Sequence, residues 1–381
     1  MSEWKEYKLG DLCAKIVSGG TPKTSSKEYY ENGNIPWMKT TEIHKEIIYN
    51  TDTFITELGL KNSTAKLIPE NSIIIAMYGD GGTAGRVALS KIILSTNQAC
   101  CNLIIAKDKA HYAFVYYFLK INYDNLVNLK TGGSQQNLNT LIIKNFKILV
   151  PSLKTQQKIA NILSTYDELI EVNNLRIKTL EETAQALYKE WFVRFRFPNY
   201  QRTEFIKGVP KGWEVVKFKD FIKLNRGFDL PEEKIVNGKY PIVASTSIKG
   251  YHNDYKVNAP CIATGRSGSL GIVQYVNQKS WPLNTSLYVK DFKGNSPRFA
   301  YFFLQNLNLE TFNSGAGVPS LNQNHLHHIT FGLPPLEIQK RFDEHIIPIF
   351  NQIETLQSQN KELRQIRDRL LPRLISGRIS V

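Results

Sequence analysis

The sequence predicts an α+β protein: two similar α+β domains joined by two long helices that form an antiparallel coiled coil, the whole having pseudo-twofold symmetry. Three observations predict it. Residues 131–163 align without a gap to residues 314–346 at a constant offset of 183, so that Gly132, Leu138, Asn139, Pro151, Leu153 and Gln156 recur as Gly315, Leu321, Asn322, Pro334, Leu336 and Gln339. Each half then splits into a mixed region and a helical one. The two helical regions carry apolar residues at 4/3 spacing over five heptads, which is the seam of a coiled coil. A repeat this long is a duplicated domain rather than a solenoid unit.

Taken in order, residues 1–150 form the first domain, 151–200 the first helical spacer, 201–333 the second domain and 334–381 the second helical spacer. In the first domain Ser72–Tyr78 and Asn102–Ala106 are short apolar runs of strand type between Gly- and Asn-rich turns. A helix with an aromatic face spans Tyr112–Ile121. The second domain repeats this, with strands at Cys261–Thr264, Gly271–Val276 and Thr285–Val289 and a helix at Pro297–Leu307. Phe114, Tyr116, Phe118 and Leu119 recur there as Phe299, Tyr301, Phe303 and Leu304, and Trp4 and Trp213 open the two halves.

The long helices are expected over about 155–192 and 338–375, with Pro348 and Pro372 interrupting the second. Run antiparallel so that paired numbers sum to 533, their seams match: Ile159 meets Leu374, Leu163 meets Leu370, and Trp191 meets Phe342. Asn173 then faces Asn360, and Tyr166 faces Arg367. A buried Asn pair fixes register at some cost in stability.

The chain has 381 residues, with 48 Lys+Arg against 34 Asp+Glu, a net charge of +14. The excess is about +4 in residues 1–150 and about +7 in 201–333, against about +1 and +2 in the helical regions. A basic surplus in the two domains points to nucleic acid or an anionic surface. No stretch approaches the length of a transmembrane helix, and the opening MSEWKEYKLGD has no apolar core of a signal peptide. Cys13, Cys100, Cys101 and Cys261 show no metal or redox spacing, and a reducing cytoplasm is expected.

The layout and several strings resemble the specificity subunit of Type I restriction–modification systems. They are Val150-Pro151-Ser152-Leu153 with Gln156-Gln157-Lys158-Ile159-Ala160, its copy Leu333-Pro334-Pro335-Leu336-Glu337 with Gln339, and Ala186-Leu187-Tyr188-Lys189 with Trp191-Phe192. Leu370-Leu371 with Leu374-Ile375-Ser376-Gly377 ends the chain in the same style. Trp4, Leu9-Gly10-Asp11-Leu12 and Gly19-Gly20-Thr21-Pro22 look like the start of a target recognition domain; the second domain's Gly227-Phe228-Asp229-Leu230-Pro231 departs from that last string. The resemblance covers the whole chain. It implies two target recognition domains, each reading half of a split sequence in double-stranded DNA, on helices that dock two methyltransferase subunits, with restriction/translocase subunits joining that core. It implies too that this chain holds no cofactor and that S-adenosylmethionine, ATP and Mg²⁺ belong to the partners.

Other chemistry is sparse. There is no Asp/Asn-Pro-Pro-Tyr/Phe string and no G-x4-G-K-[ST] phosphate loop. Glu232 and Lys234 behind Asp220 or Asp229 only faintly suggest a nuclease metal site, and His325, His327 and His328 lack zinc-ligand spacing. A stand-alone DNA nuclease and a coiled-coil adaptor that binds protein only are the alternatives.

Four loop sets carry side chains suited to DNA. The Gly-rich loop Tyr78–Arg86, with Tyr78, Thr83 and Arg86, matches Thr264–Gly271, with Arg266 and Ser267. Glycines let the backbone approach a phosphate, and Arg can read guanine bidentately. The loop Lys130–Asn139 offers Gln135, Gln136 and Asn137 and matches Asn313–Asn322, with Ser314 and Asn322. Gln and Asn suit adenine, whereas Asn139 and Asn322 equally suit helix caps. Asn97-Gln98 matches Asn284-Thr285, and Lys39, Thr40 and Thr41 match Ala244, Ser245 and Thr246. The same frame with different side chains is what two readers of different half-sites would show.

Overall fold

The structure is a computed structural model that describes residues 4–79, 82–130, 137–206, 208–315 and 317–381. The chain divides into two compact units, Met1–Asn173 with Ser358–Val381, and Asn174–Gln357. The division cuts both long helices, so each unit holds one mixed domain and one half of each helix.

In the first unit a five-stranded sheet runs in the order Cys13–Ser18, Cys100–Ile105, Ile73–Ala76, Val87–Ser90, Ile47–Ile48. Ile73–Ala76 is the middle strand and fully buried, which is why its sequence is a continuous apolar run rather than an alternating one. A second sheet places Ile35–Met38 between Phe54–Ile55 and Ser95–Thr96. Lys5–Lys8 pairs with Lys147–Val150, closing the domain where the first long helix begins. The aromatic helix Tyr112–Ile121, as expected from the sequence, packs Phe114, Tyr116 and Tyr117 into the core.

The second unit repeats the plan. Its main sheet orders Lys223–Arg226, Ser286–Asp291, Cys261–Gly265, Val273–Val276. Its second sheet sets Tyr240–Val243 between Ile248–His252 and Trp281–Pro282. Glu214–Lys217 pairs with Thr330–Leu333, and the aromatic helix is Pro297–Gln305. Among the described residues, the edge strand Ile47–Ile48 has no counterpart in the second unit's main sheet.

The repeated glutamine explains the repeat. Gln156 accepts from the His111 backbone N–H at 2.9 Å and donates to the Pro151 carbonyl at 2.9 Å. Gln339 does the same with Ser296 N–H and Pro334 O, both at 2.9 Å. Each buried amide thus ties the start of a long helix to the N-terminus of its aromatic helix.

The long helices are Leu153–Tyr188, continued by a π-helical turn Lys189–Val193, and Leu336–Ile375. The expected interruption at Pro348 is absent: the helix runs through it. Pro348 and Glu344, whose carbonyl it leaves without an N–H donor, are both exposed, which lowers the cost of an interior proline. Within the first unit the pairing is antiparallel and in the expected register. Asn173 Nδ2 donates to Asn360 Oδ1 at 3.0 Å, and Ile159, Leu163, Leu371 and Leu374 share one core. Within the second unit Trp191 meets Phe342 with ring centroids 5.8 Å apart. One seam contact differs: Arg367 bonds Asp167, next to Tyr166 in the chain, as well as Asp368, and Asp167 also accepts from Tyr117 Oη at 2.5 Å.

Candidate nucleic-acid interface

In each unit one edge of the domain gathers chain segments far apart in sequence. In the first, the Asn97 N–H donates to Met38 O at 3.0 Å, Gly20 N–H to Thr96 O at 2.8 Å, and Met77 N–H to Ala99 O at 2.8 Å. Leu138 N–H reaches Met77 O at 2.9 Å. Four backbone bonds therefore bring together the ends of the strands that carry Lys39, Asn97-Gln98, Tyr78 and Asn137, and the turn after Gly20. In the second unit the corresponding bonds are Leu283 N–H to Val243 O at 2.9 Å, Phe228 N–H to Pro282 O at 2.8 Å, Arg266 N–H to Thr285 O at 2.8 Å and Leu321 N–H to Arg266 O at 2.8 Å. They gather Ser245, Thr246, Arg266, Ser267, Asn284, Thr285 and the segment before Asn322.

These bonds correct two correspondences expected from sequence. Leu283 stands where Asn97 stands, so Asn284 is the counterpart of Gln98, and Thr285 of Ala99. Likewise Met77 corresponds to Arg266 and Tyr78 to Ser267; Thr264, matched to Tyr78 by sequence, is a buried strand residue equivalent to Ile75. The Gly-rich loops differ in length, with nine residues between Met77 and Val87 and six between Arg266 and Val273. A glycine-anchored alignment cannot place such a difference. The glycines that do coincide are Gly85 and Gly271, with φ of +87° and +90° at the end of each loop, a conformation costly for other residues.

The departure of Gly227-Phe228-Asp229 from Gly19-Gly20-Thr21 is one of side chains, not of backbone. Gly19 and Gly227 each lie against a carbonyl, where a Cβ would come within 2.0 Å of Asn97 O and 2.2 Å of Leu283 O. Gly20 is required because a Cβ would meet the backbone N of Ala65 at 2.2 Å. The second domain's Phe228 instead packs on Tyr288 with ring centroids 5.8 Å apart.

The side chains at the edge fall into two kinds. Some support the frame: Ser245 Oγ donates to Thr285 O at 2.9 Å and Ser267 O at 3.1 Å, and Arg266 Nη1 donates to Asn284 O at 3.0 Å. Asn139 and Asn322 are helix caps, accepting from Ile142 N–H at 2.9 Å and Asn324 N–H at 3.0 Å. Others face solvent: Lys39, Thr41, Tyr78, Arg86, Gln98, Thr246 and Ser314 are exposed, and Thr40, Thr83, Asn97 and Asn137 are half-buried. Lys39 Nζ lies 5.6 Å from the Trp37 ring centroid. Arg86 Nε donates to Gly82 O at 3.0 Å, which folds the guanidinium back onto its own loop. Gln135 and Gln136 lie outside the described residues.

Two residues at this edge escaped sequence reasoning as candidates. Thr21 hydrogen-bonds Gln98, and Asp229 hydrogen-bonds Asn284. Both stand in the strings that open the domains, but only the backbone correspondence shows that they are equivalent. His325 and His327 lie on or beside the short helix Gln323–Leu326, and among the described residues no three potential ligands cluster as a metal site. Among the described residues no helix is long and apolar enough to cross a membrane.

The fold and these edges define a class: a protein with two copies of one α+β recognition domain, each seated on a helix pair and each presenting a polar edge of the same backbone design. The family model for the Type I restriction modification DNA specificity domain matches residues 1–182 and 210–365, and the chain belongs to that family. Over its full length it is 31% identical to the Type I restriction enzyme MjaIX specificity subunit of Methanocaldococcus jannaschii, 94% of which is covered. It is 23% identical to the HindI specificity subunit of Haemophilus influenzae, with both chains covered completely. The fold matches the crystal structure of the Type I system S subunit from M. genitalium with a TM-score of 0.60 at 17% identity, over 98% of this chain and 96% of that one. The chain is a specificity subunit of a Type I restriction–modification system.

Proposed function

We propose that this chain reads a bipartite sequence in double-stranded DNA, one half-site per domain, and scaffolds two methyltransferase subunits and the restriction/translocase subunits. It contributes binding rather than bond-breaking; S-adenosylmethionine, ATP and Mg²⁺ sit on the partners. The carrying observation is the pair of edges that share four backbone hydrogen bonds and differ in most of their side chains, as in Lys39 against Ala244 and Tyr78 against Ser267. A common frame with divergent side chains suits two different half-sites. The basic surplus of the two domains supplies phosphate affinity, and the polar edges supply discrimination. The helices, of 36 and 40 residues, offer outward faces to the partner subunits.

The test is salt-dependent binding of the purified chain, with the subunits that copurify with it, to duplexes randomised in two blocks. Selection of two separated half-sites, with log affinity falling linearly in log salt, is the expected result. Cutting of DNA by the chain alone would favour a nuclease, and absence of any salt-sensitive binding would favour a protein adaptor.

A further inference from the structure

We propose that the hydrogen-bonded pairs Thr21–Gln98 and Asp229–Asn284 are equivalent base-reading devices, one per domain, in which the amide reads an adenine edge and the neighbour fixes how the amide faces. This deepens the DNA-reading assignment above and rests on it.

Equivalence comes from the backbone. Gly19 N–H bonds Cys100 O and Gly20 N–H bonds Thr96 O; Gly227 N–H bonds Ser286 O and Phe228 N–H bonds Pro282 O. Thr21 and Asp229 are the next residues, and each meets the amide that lies two positions after Thr96 or Pro282. Two domains that share few exposed side chains thus place a primary amide at the same point and give it a hydrogen-bonding neighbour from the same turn. Gly19 and Gly227, which tolerate no Cβ, hold that turn against the amide's own strand end. In the first domain Trp37 Nε1 also donates to Gly20 O at 3.0 Å from a buried indole.

The chemistry of the pairs differs usefully. Thr21 Oγ1 donates to Gln98 Oε1, whereas Asp229 accepts from Asn284 Nδ2. Each bond uses one position of the amide, which has two N–H groups and two oxygen lone pairs. What remains is at least one N–H and one lone pair, the two kinds of group that adenine N7 and N6 call for. An unrestrained amide can swing about its terminal torsion, which is broad; the neighbour restricts it. Arg226 Nη2, 3.7 Å from Asp229 Oδ1, holds the carboxylate in turn. Thr21 and Asp229 are positioning residues in this scheme, and Gln98 and Asn284 are the contacts.

The test uses the full chain with its copurifying subunits, on duplexes randomised in two blocks. Gln98→Ala and Thr21→Val should relax one A·T position of one half-site by about tenfold, the scale of a single bidentate contact. Asn284→Ala and Asp229→Ala should relax one A·T position of the other half-site. Asp229→Asn keeps an accepting oxygen and should restore selection, which a loss of folding would not allow. On the selected duplex, 7-deaza-adenine at that position should weaken the wild type and leave Asn284→Ala indifferent. If the wild type selects two half-sites and the four variants select the same ones unchanged, this inference is wrong and the proposed function stands. If the wild type selects no sequence, the DNA-reading assignment falls and takes this inference with it.

Discussion

Buried polar and thiol groups set the residue-scale behaviour. Burial pushes the Cys100 and Cys101 thiols up to about 12 and Cys261 up to about 11. Since the thiolate is the reactive form, a thiol reagent at neutral pH should leave these three unmodified in the native chain and label them after unfolding; mass spectrometry of the labelled protein checks this. Gln156 and Gln339 each satisfy one backbone N–H and one carbonyl in the interior. Substituting either by Ala strands both groups, at about 1–3 kcal/mol for each buried group left unsatisfied, so denaturant midpoints should fall in both variants. Asp343 accepts from Ser296 Oγ at 2.8 Å. Burial raises its carboxyl above the usual range, against the opposing effects of Ser296 and Arg298. A raised folded value means its stabilising contribution is complete below the unfolded pKa of about 4 and is lost as pH rises through the folded value. Asp343→Asn should therefore gain in melting temperature relative to wild type as pH rises above about 4. The glutamines were visible in the sequence as repeated positions, because repetition marks them. Thr21 and Asp229 were not, since equivalent positions with unlike side chains carry no sequence signal until the backbone is known.

At the scale of elements, the helix seam shows where sequence pattern succeeds and where it fails. Heptad arithmetic finds the Asn173–Asn360 pair and the Trp191–Phe342 contact because both depend only on spacing along a regular helix. It misses Asp167, which bonds Arg367 although it lies one residue off the apolar register, drawn inward by Tyr117 and the guanidinium. Arg367 is buried, which would lower its pKa, but the Asp167 and Asp368 carboxylates outweigh burial and raise it; it stays charged. The same positions in the other unit, at the repeat offset, are Phe302, Phe350 and Ala184, with Phe302 and Phe350 ring centroids 6.0 Å apart. One unit thus has an aromatic seam where the other has an ion pair. Arg367→Ala leaves the Asp167 carboxylate buried and should cost about 3–5 kcal/mol. Replacing all three residues by their counterparts, as Tyr117→Phe, Asp167→Phe and Arg367→Ala, removes both charges together. That triple variant should lie much closer to wild type in chemical denaturation, and equal losses in the two variants would show that the pair's charge is not what matters.

At the scale of the whole molecule, the repeat makes each helix half a possible substitute for its counterpart. The first unit completes its core with Leu371, Leu374 and Ile375 from the second long helix. The second unit completes its own with Ala184, Tyr188, Trp191 and Phe192 from the first. A fragment of residues 1–200 contains the first domain and the whole first helix but lacks 371–375. At the repeat offset, Trp191 and Phe192 stand for Leu374 and Ile375, so a second copy of the fragment can supply the missing half-seam. We expect the fragment to homodimerise, with sedimentation velocity showing dimer at tens of micromolar. The ion pair sets a limit on how tightly. In such a dimer the position of Arg367 is filled by Ala184 of the other copy, and Asp167 loses its guanidinium. The dimer should therefore be weak, and Ala184→Arg should tighten it by at least tenfold, since stranding one member of a buried pair costs several kcal/mol. Asp167→Phe, which copies the aromatic seam, should tighten it as well. A strictly monomeric fragment, or a dimer indifferent to both substitutions, would mean that the shared pattern of the two units does not extend to interchangeable helices.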